Sequence, residues 1–92
     1  MSRSRMCSAR YGPAPVSTSR RALICVVSDA STGREPELAL HLRMALRQGW
    51  TEEELTETLL HLSGYVGVPI IRESLLMASK VFKEYRQEAA KA

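Results

Sequence analysis

The residues with the most chemical capacity in this chain are its two histidines. Each has a glutamate four positions before it. Glu37 precedes His41, Glu57 precedes His61, and Tyr65 follows one further turn along. On a helix this spacing puts both members of a pair on one face. A carboxylate beside an imidazole fixes its tautomer and raises its pKa, which general acid–base work near neutral pH requires. The same spacing also occurs as a helix-surface pair worth about 0.2–0.5 kcal/mol, so spacing alone leaves both readings open. It matches neither the Glu-x-x-His of di-iron bundles nor His-Glu-x-x-His, and no metal is expected. Cys7 and Cys25 fit no metal or redox spacing. They read as reduced thiols of a cytoplasmic protein.

The elements that must position these residues read as helices from residue 19 onward. Ser19 is set to cap a first helix reaching about Ala30, with Leu23, Ile24, Val26 and Val27 as its apolar residues and Gly33 beyond its end. That apolar run would also suit a strand, but no partner strand exists in the chain. Pro36 starts a second helix through Gln48, stopped at Gly49, with Leu38, Leu42, Ala45 and Leu46 as its stripe. Thr51 and Glu54 form a capping box for a third helix carrying Leu55, Leu59, Leu62 and Val66. Gly64 and Gly67 are expected to bracket a break. Pro69 then opens a fourth helix in which Ile71, Leu75, Ala78, Phe82, Tyr85 and Ala89 share a face, with Ile70, Met77 and Val81 beside it. The expected fold is all-α, a small antiparallel bundle of about four helices whose sequential members are neighbours.

Length and charge bound the rest. The chain has 92 residues, which allows one domain with a marginal core that oligomerisation would complete. The net charge of +3 is unevenly placed. Residues 1–21 hold five arginines and no acid, while residues 22–92 hold eight basic and ten acidic side chains. Residues 1–18 read as a flexible basic arm and residues 19–92 as the helical domain. Residues 45–62 superficially fit a helix-turn-helix. Its second helix would turn Glu52, Glu53, Glu54 and Glu57 toward phosphates, so no nucleic-acid partner is expected. No apolar run approaches the ~20 residues of a membrane span.

Taken in order, Glu37-Leu-Ala-Leu-His41, Ala45, Gly49, Thr51, Glu53-Glu54, Glu57, Leu60-His61 and Tyr65-Val-Gly67-Val-Pro69 resemble the carboxymuconolactone decarboxylase family. The segment from Arg21 to Arg34 resembles the helix that precedes this string. The resemblance covers about residues 20–90. It implies an all-helical fold like that of the alkyl hydroperoxidases, assembled into dimers, trimers or hexamers. It also implies cofactor-independent decarboxylation of a lactone or other small carboxylic acid. The namesake reaction converts γ-carboxymuconolactone to the enol-lactone of 3-oxoadipate.

Losing CO2 leaves a dienolate, so such a site must stabilise an oxyanion and return a proton to carbon. On this resemblance His61, positioned by Glu57, is the proton donor. His41 with Glu37 is a second donor or oxyanion partner, and Tyr65 hydrogen-bonds the lactone oxygen. Arg43, Arg47 and Arg72 are candidates to hold the substrate carboxylates. The chain departs from the family pattern in two respects. The thiol branch carries Cys-x-x-Cys-x-x-x-His, but aligning its His with His41 puts Arg34 and Glu37 at the thiol positions. Ser28 and Asp29 also fall where the family helix is apolar, and further helical sequence before residue 20 is replaced by the arm. The chain therefore reads as the later part of a longer domain. Its alternative role is a non-catalytic oligomerisation or binding module.

Overall fold

The computed structural model of the chain describes residues 17–91. Four helices account for nearly all of them: α1 (Thr18–Thr32), α2 (Glu35–Arg47), α3 (Glu52–Val66) and α4 (Val68–Lys91). The described residues contain no strand. The arm read at residues 1–18 lies outside the described residues up to residue 16; Ser17 is the cap of α1 and Thr18 its first residue.

Local chemistry explains each boundary. Ser17, not Ser19, caps α1, because its hydroxyl accepts the Arg20 amide at 3.3 Å. The helix runs past Ala30 to Thr32 and closes in a Schellman turn. There Gly33 N–H donates to Ala30 O and Arg34 N–H to Asp29 O, with Gly33 at φ 71°. Pro36 lies in the first turn of α2, where its missing N–H costs no hydrogen bond. The capping box of α3 is complete: Glu54 N–H donates to Thr51 Oγ1 at 3.0 Å, and Thr51 N–H donates to Glu54 Oε1 at 2.9 Å.

The expected break at Gly64 does not occur. Gly64 is helical, and a single residue, Gly67, separates α3 from α4. Gly67 takes φ 102° and ψ 144°, a conformation that a side chain strongly disfavours.

The helices pack as two consecutive pairs, α1 on α2 and α3 on α4, with α2 also lying against α4. α2 and α3 share scarcely any contact despite being consecutive, so adjacency in sequence does not set every neighbour here. The core takes Ala22, Val26 and Ala30 from α1, Leu38, Leu42 and Ala45 from α2, Leu55 and Leu59 from α3, and Ile71, Ala78, Val81 and Phe82 from α4. Ile24 is exposed, and Leu23 and Val27 are half-buried. On α4 the apolar face leaves the core after Phe82. Tyr85 is half-buried and Ala89 exposed, and that end is held to α2 by Arg43, which donates to Glu84 and Glu88. The Trp50 indole N–H donates to Ser19 O at 2.8 Å and ties the α2–α3 loop to the first turn of α1. No helix among the described residues is long and apolar enough to cross a membrane.

Candidate active site

α1 carries an acid on its buried face. Ala22, Val26, Asp29 and Ala30 recur at i, i+4, i+7 and i+8, and these four are the residues that α1 buries. The Asp29 side chain is 11% exposed. A carboxylate so withdrawn from water needs a partner. Asp29 also sits in the last turn of its helix, where the dipole's negative end disfavours an anion, and α1 has no basic residue there. The partner comes from α2: His41 Nδ1 lies 2.5 Å from Asp29 Oδ2. With the carboxylate accepting, Nδ1 is the protonated ring nitrogen and Nε2 is left to act.

This pairing replaces the one expected from spacing. Glu37 is exposed, and among the described residues His41 bonds to Asp29 and not to Glu37. The tertiary partner wins because it is buried beside the ring, whereas Glu37 keeps its hydration on the solvent side of the same helix. Asp29 is the residue that spacing missed. Its signal was present in the sequence as an acid in phase with Ala22, Val26 and Ala30.

The second pair is also rearranged. Glu57 and His61 are both exposed and make no hydrogen bond or ion pair with each other among the described residues. His61 instead faces Tyr65, with ring centroids 5.3 Å apart and planes inclined at 51°. Tyr65 is 76% exposed. Leu60, Val68 and Ile70 are exposed around the same α3–α4 joint.

The three arginines differ in setting. Arg43 is engaged by Glu88 at 2.9 Å and Glu84 at 3.1 Å. The hydrogen bond it donates to Glu88 holds its guanidinium above the usual range, against the opposing effect of burial. It clasps α2 to α4 in this geometry. Arg47 is exposed at the end of α2. Arg72 lines a groove of about 320 Å³ with Gly33, Glu35, Pro69, Ile70, Glu73 and Ser74, and its Nε is 3.7 Å from Glu73.

A larger open groove, about 620 Å³, is bordered by Glu52, Glu53, Glu54, Thr56, Glu57 and Leu60. Its four carboxylates repel an anionic substrate. Neither histidine lines either groove. Among the described residues, no group of three or more His, Cys, Asp or Glu side chains is placed to hold a metal ion.

Residues 3–80 match the carboxymuconolactone decarboxylase family. The chain belongs to this family. The matched span takes in Asp29, Glu37, His41, Glu57, His61, Tyr65 and Arg72. The 4-carboxymuconolactone decarboxylase of Acinetobacter baylyi is 41% identical over 64 residues, which cover 70% of this chain and 48% of that protein. A Paracoccus denitrificans protein described as an uncharacterized 15.0 kDa protein in the nqo9-nqo10 intergenic region is 35% identical over 54 residues, 59% of this chain and 40% of that protein. The chain thus spans less than half the length of these curated relatives. No solved structure matches significantly.

Proposed function

We propose that this member of the carboxymuconolactone decarboxylase family is a cofactor-independent carboxy-lyase acting on a lactone or other small carboxylic acid. The observation that carries the reading is its 41% identity to a 4-carboxymuconolactone decarboxylase over 70% of the chain. His41 is the first proton donor in this reading, since a carboxylate orients its ring. The bond between ring carbon and carboxylate breaks, its electron pair passes into the conjugated lactone, and CO2 leaves. The carbon then takes the Nε2 proton of the doubly protonated His41 ring, and water returns a proton to Nε2. His61 with Tyr65 serves as second donor or oxyanion partner, with Glu57 one turn away. Arg72, in its groove, is the preferred holder of a substrate carboxylate, and Arg47 is a further candidate.

The reading includes a cytoplasmic location and a homo-oligomer, dimer, trimer or hexamer. Its support for association is the run of exposed Leu60, Tyr65, Val68 and Ile70. A second copy laid there would also enclose His61. The test is CO2 release from γ-carboxymuconolactone by the purified chain. His41→Ala is expected to lower kcat by about 100-fold, at the lower end of what a positioned proton donor supplies. An unchanged rate removes His41 from the mechanism.

A second reading, a non-catalytic oligomerisation or binding module, draws support from the open setting of His61 and Tyr65, since acid–base sites are ordinarily closed to water. Sustained turnover by the wild-type chain eliminates it.

A further inference from the structure

We infer that Asp29 is the positioning residue for His41, fixing which ring nitrogen reacts. The inference deepens the acid–base reading above and rests on it for its catalytic meaning, but its geometry stands apart from any substrate. Three observations converge. The Asp29 carboxylate is 11% exposed and its one side-chain partner among the described residues is His41 Nδ1, 2.5 Å away. The two groups come from different helices, so neither can drift along a shared surface as an i, i+4 pair can. The backbone that carries Asp29 is itself immobilised: its carbonyl accepts Arg34 N–H at 3.0 Å in the Schellman turn that ends α1. The His41 side chain is 22% exposed, enough for one edge of the ring to meet solvent or a ligand.

A buried carboxylate that accepts only from Nδ1–H holds that proton through the whole cycle. Every proton exchanged with substrate or water then moves at Nε2. Without Asp29 the ring divides between tautomers and orientations, and part of the population presents the wrong nitrogen. Glu37 cannot substitute, because it is exposed on the solvent side of α2.

The experiment is NMR of the isotope-labelled full chain, reading the ring nitrogens of both histidines. In the wild type, neutral His41 is expected to be protonated at Nδ1 and bare at Nε2, while exposed His61 shows the ordinary mixture. Asp29→Ala is expected to move His41 to the His61 pattern. Glu37→Gln should leave the His41 signals in place. Asp29→Asn keeps the shape and removes the charge. It should lower kcat on γ-carboxymuconolactone by about 10- to 100-fold, part of the ~10²–10⁴ that a positioned acid contributes, with KM held within about twofold. An Nε2-protonated His41 in the wild type overturns the inference without recourse to any variant. A Glu37→Gln signal change as large as that of Asp29→Ala overturns it too. Absence of decarboxylation overturns the functional reading instead, since the ring nitrogens report on Asp29 with no substrate present.

Discussion

Leu59 and Leu60 are adjacent, chemically identical, and placed oppositely by α3. Leu59 is fully buried and Leu60 is 52% exposed. Truncating a buried leucine to alanine removes its transfer free energy and leaves a cavity, about 2–5 kcal/mol together. The roughly 75 described residues should have a total stability of about 4–11 kcal/mol. Leu59→Ala, at about 3 kcal/mol, therefore takes a quarter or more of it and lowers Tm by about 12–24 °C for a domain of this size. Leu60→Ala removes side chain that is already half in water and is expected to stay within about 0.5 kcal/mol. Thermal unfolding followed by far-UV circular dichroism, at a low and a high protein concentration, separates the cases. If copies associate through the α3–α4 joint, Leu60→Ala lowers Tm at the high concentration only, because a partner subunit then covers that leucine. Equal losses for the two variants at low concentration would refute the assigned orientation of α3. So would a Leu59→Ala loss below about 1 kcal/mol.

Other outcomes follow from the same structure. Thr51→Ala deletes one half of the capping box and is expected to cost about 1 kcal/mol, seen as a Tm drop of about 4–8 °C. Adding Glu54→Ala to it should cost less than Glu54→Ala alone, since the box is already broken. Arg43→Met is expected to lower stability by about 0.5–1 kcal/mol, an effect that shrinks in high salt, and to leave KM unchanged, because Arg43 is occupied by Glu84 and Glu88. Arg72→Ala should do the reverse, raising KM about tenfold with little change in Tm, the loss of one charge-assisted hydrogen bond to a carboxylate.

The helices were legible in the sequence because their end signals are local. Pro36, Gly49 and the Thr51–Glu54 box each act within one turn, and the observed bounds fall within two residues of those positions. The misreadings have equally local causes. Ser17 and Ser19 are both capable caps, and only the geometry of the Arg20 amide chooses between them. Gly64 carries no backbone demand and stays helical, whereas Gly67 alone takes the positive φ that ends α3. The candidate site was legible only in part. Periodicity relates residues on one helix, so it paired His41 with Glu37 and His61 with Glu57. The partner of His41 lies twelve positions away on another helix, a relation that no spacing rule encodes. The departure of Asp29 from an otherwise apolar face was visible, but its meaning required knowing what that face packs against. The family membership was the most legible feature, because a long ordered string of residue types carries it.

The turn between α1 and α2 is only Gly33 and Arg34, and it brings Asp29 and His41 together inside one helical hairpin, Thr18–Arg47. Closing so short a segment costs little chain entropy. The acid and the imidazole therefore travel together in sequence: both side chains lie in one stretch of thirty residues, while α3 and α4 supply packing around the hairpin. A duplication, a recombination event or a graft that moved this hairpin intact would carry both partners with it. The remainder of the fold would then be free to change what the imidazole is presented to.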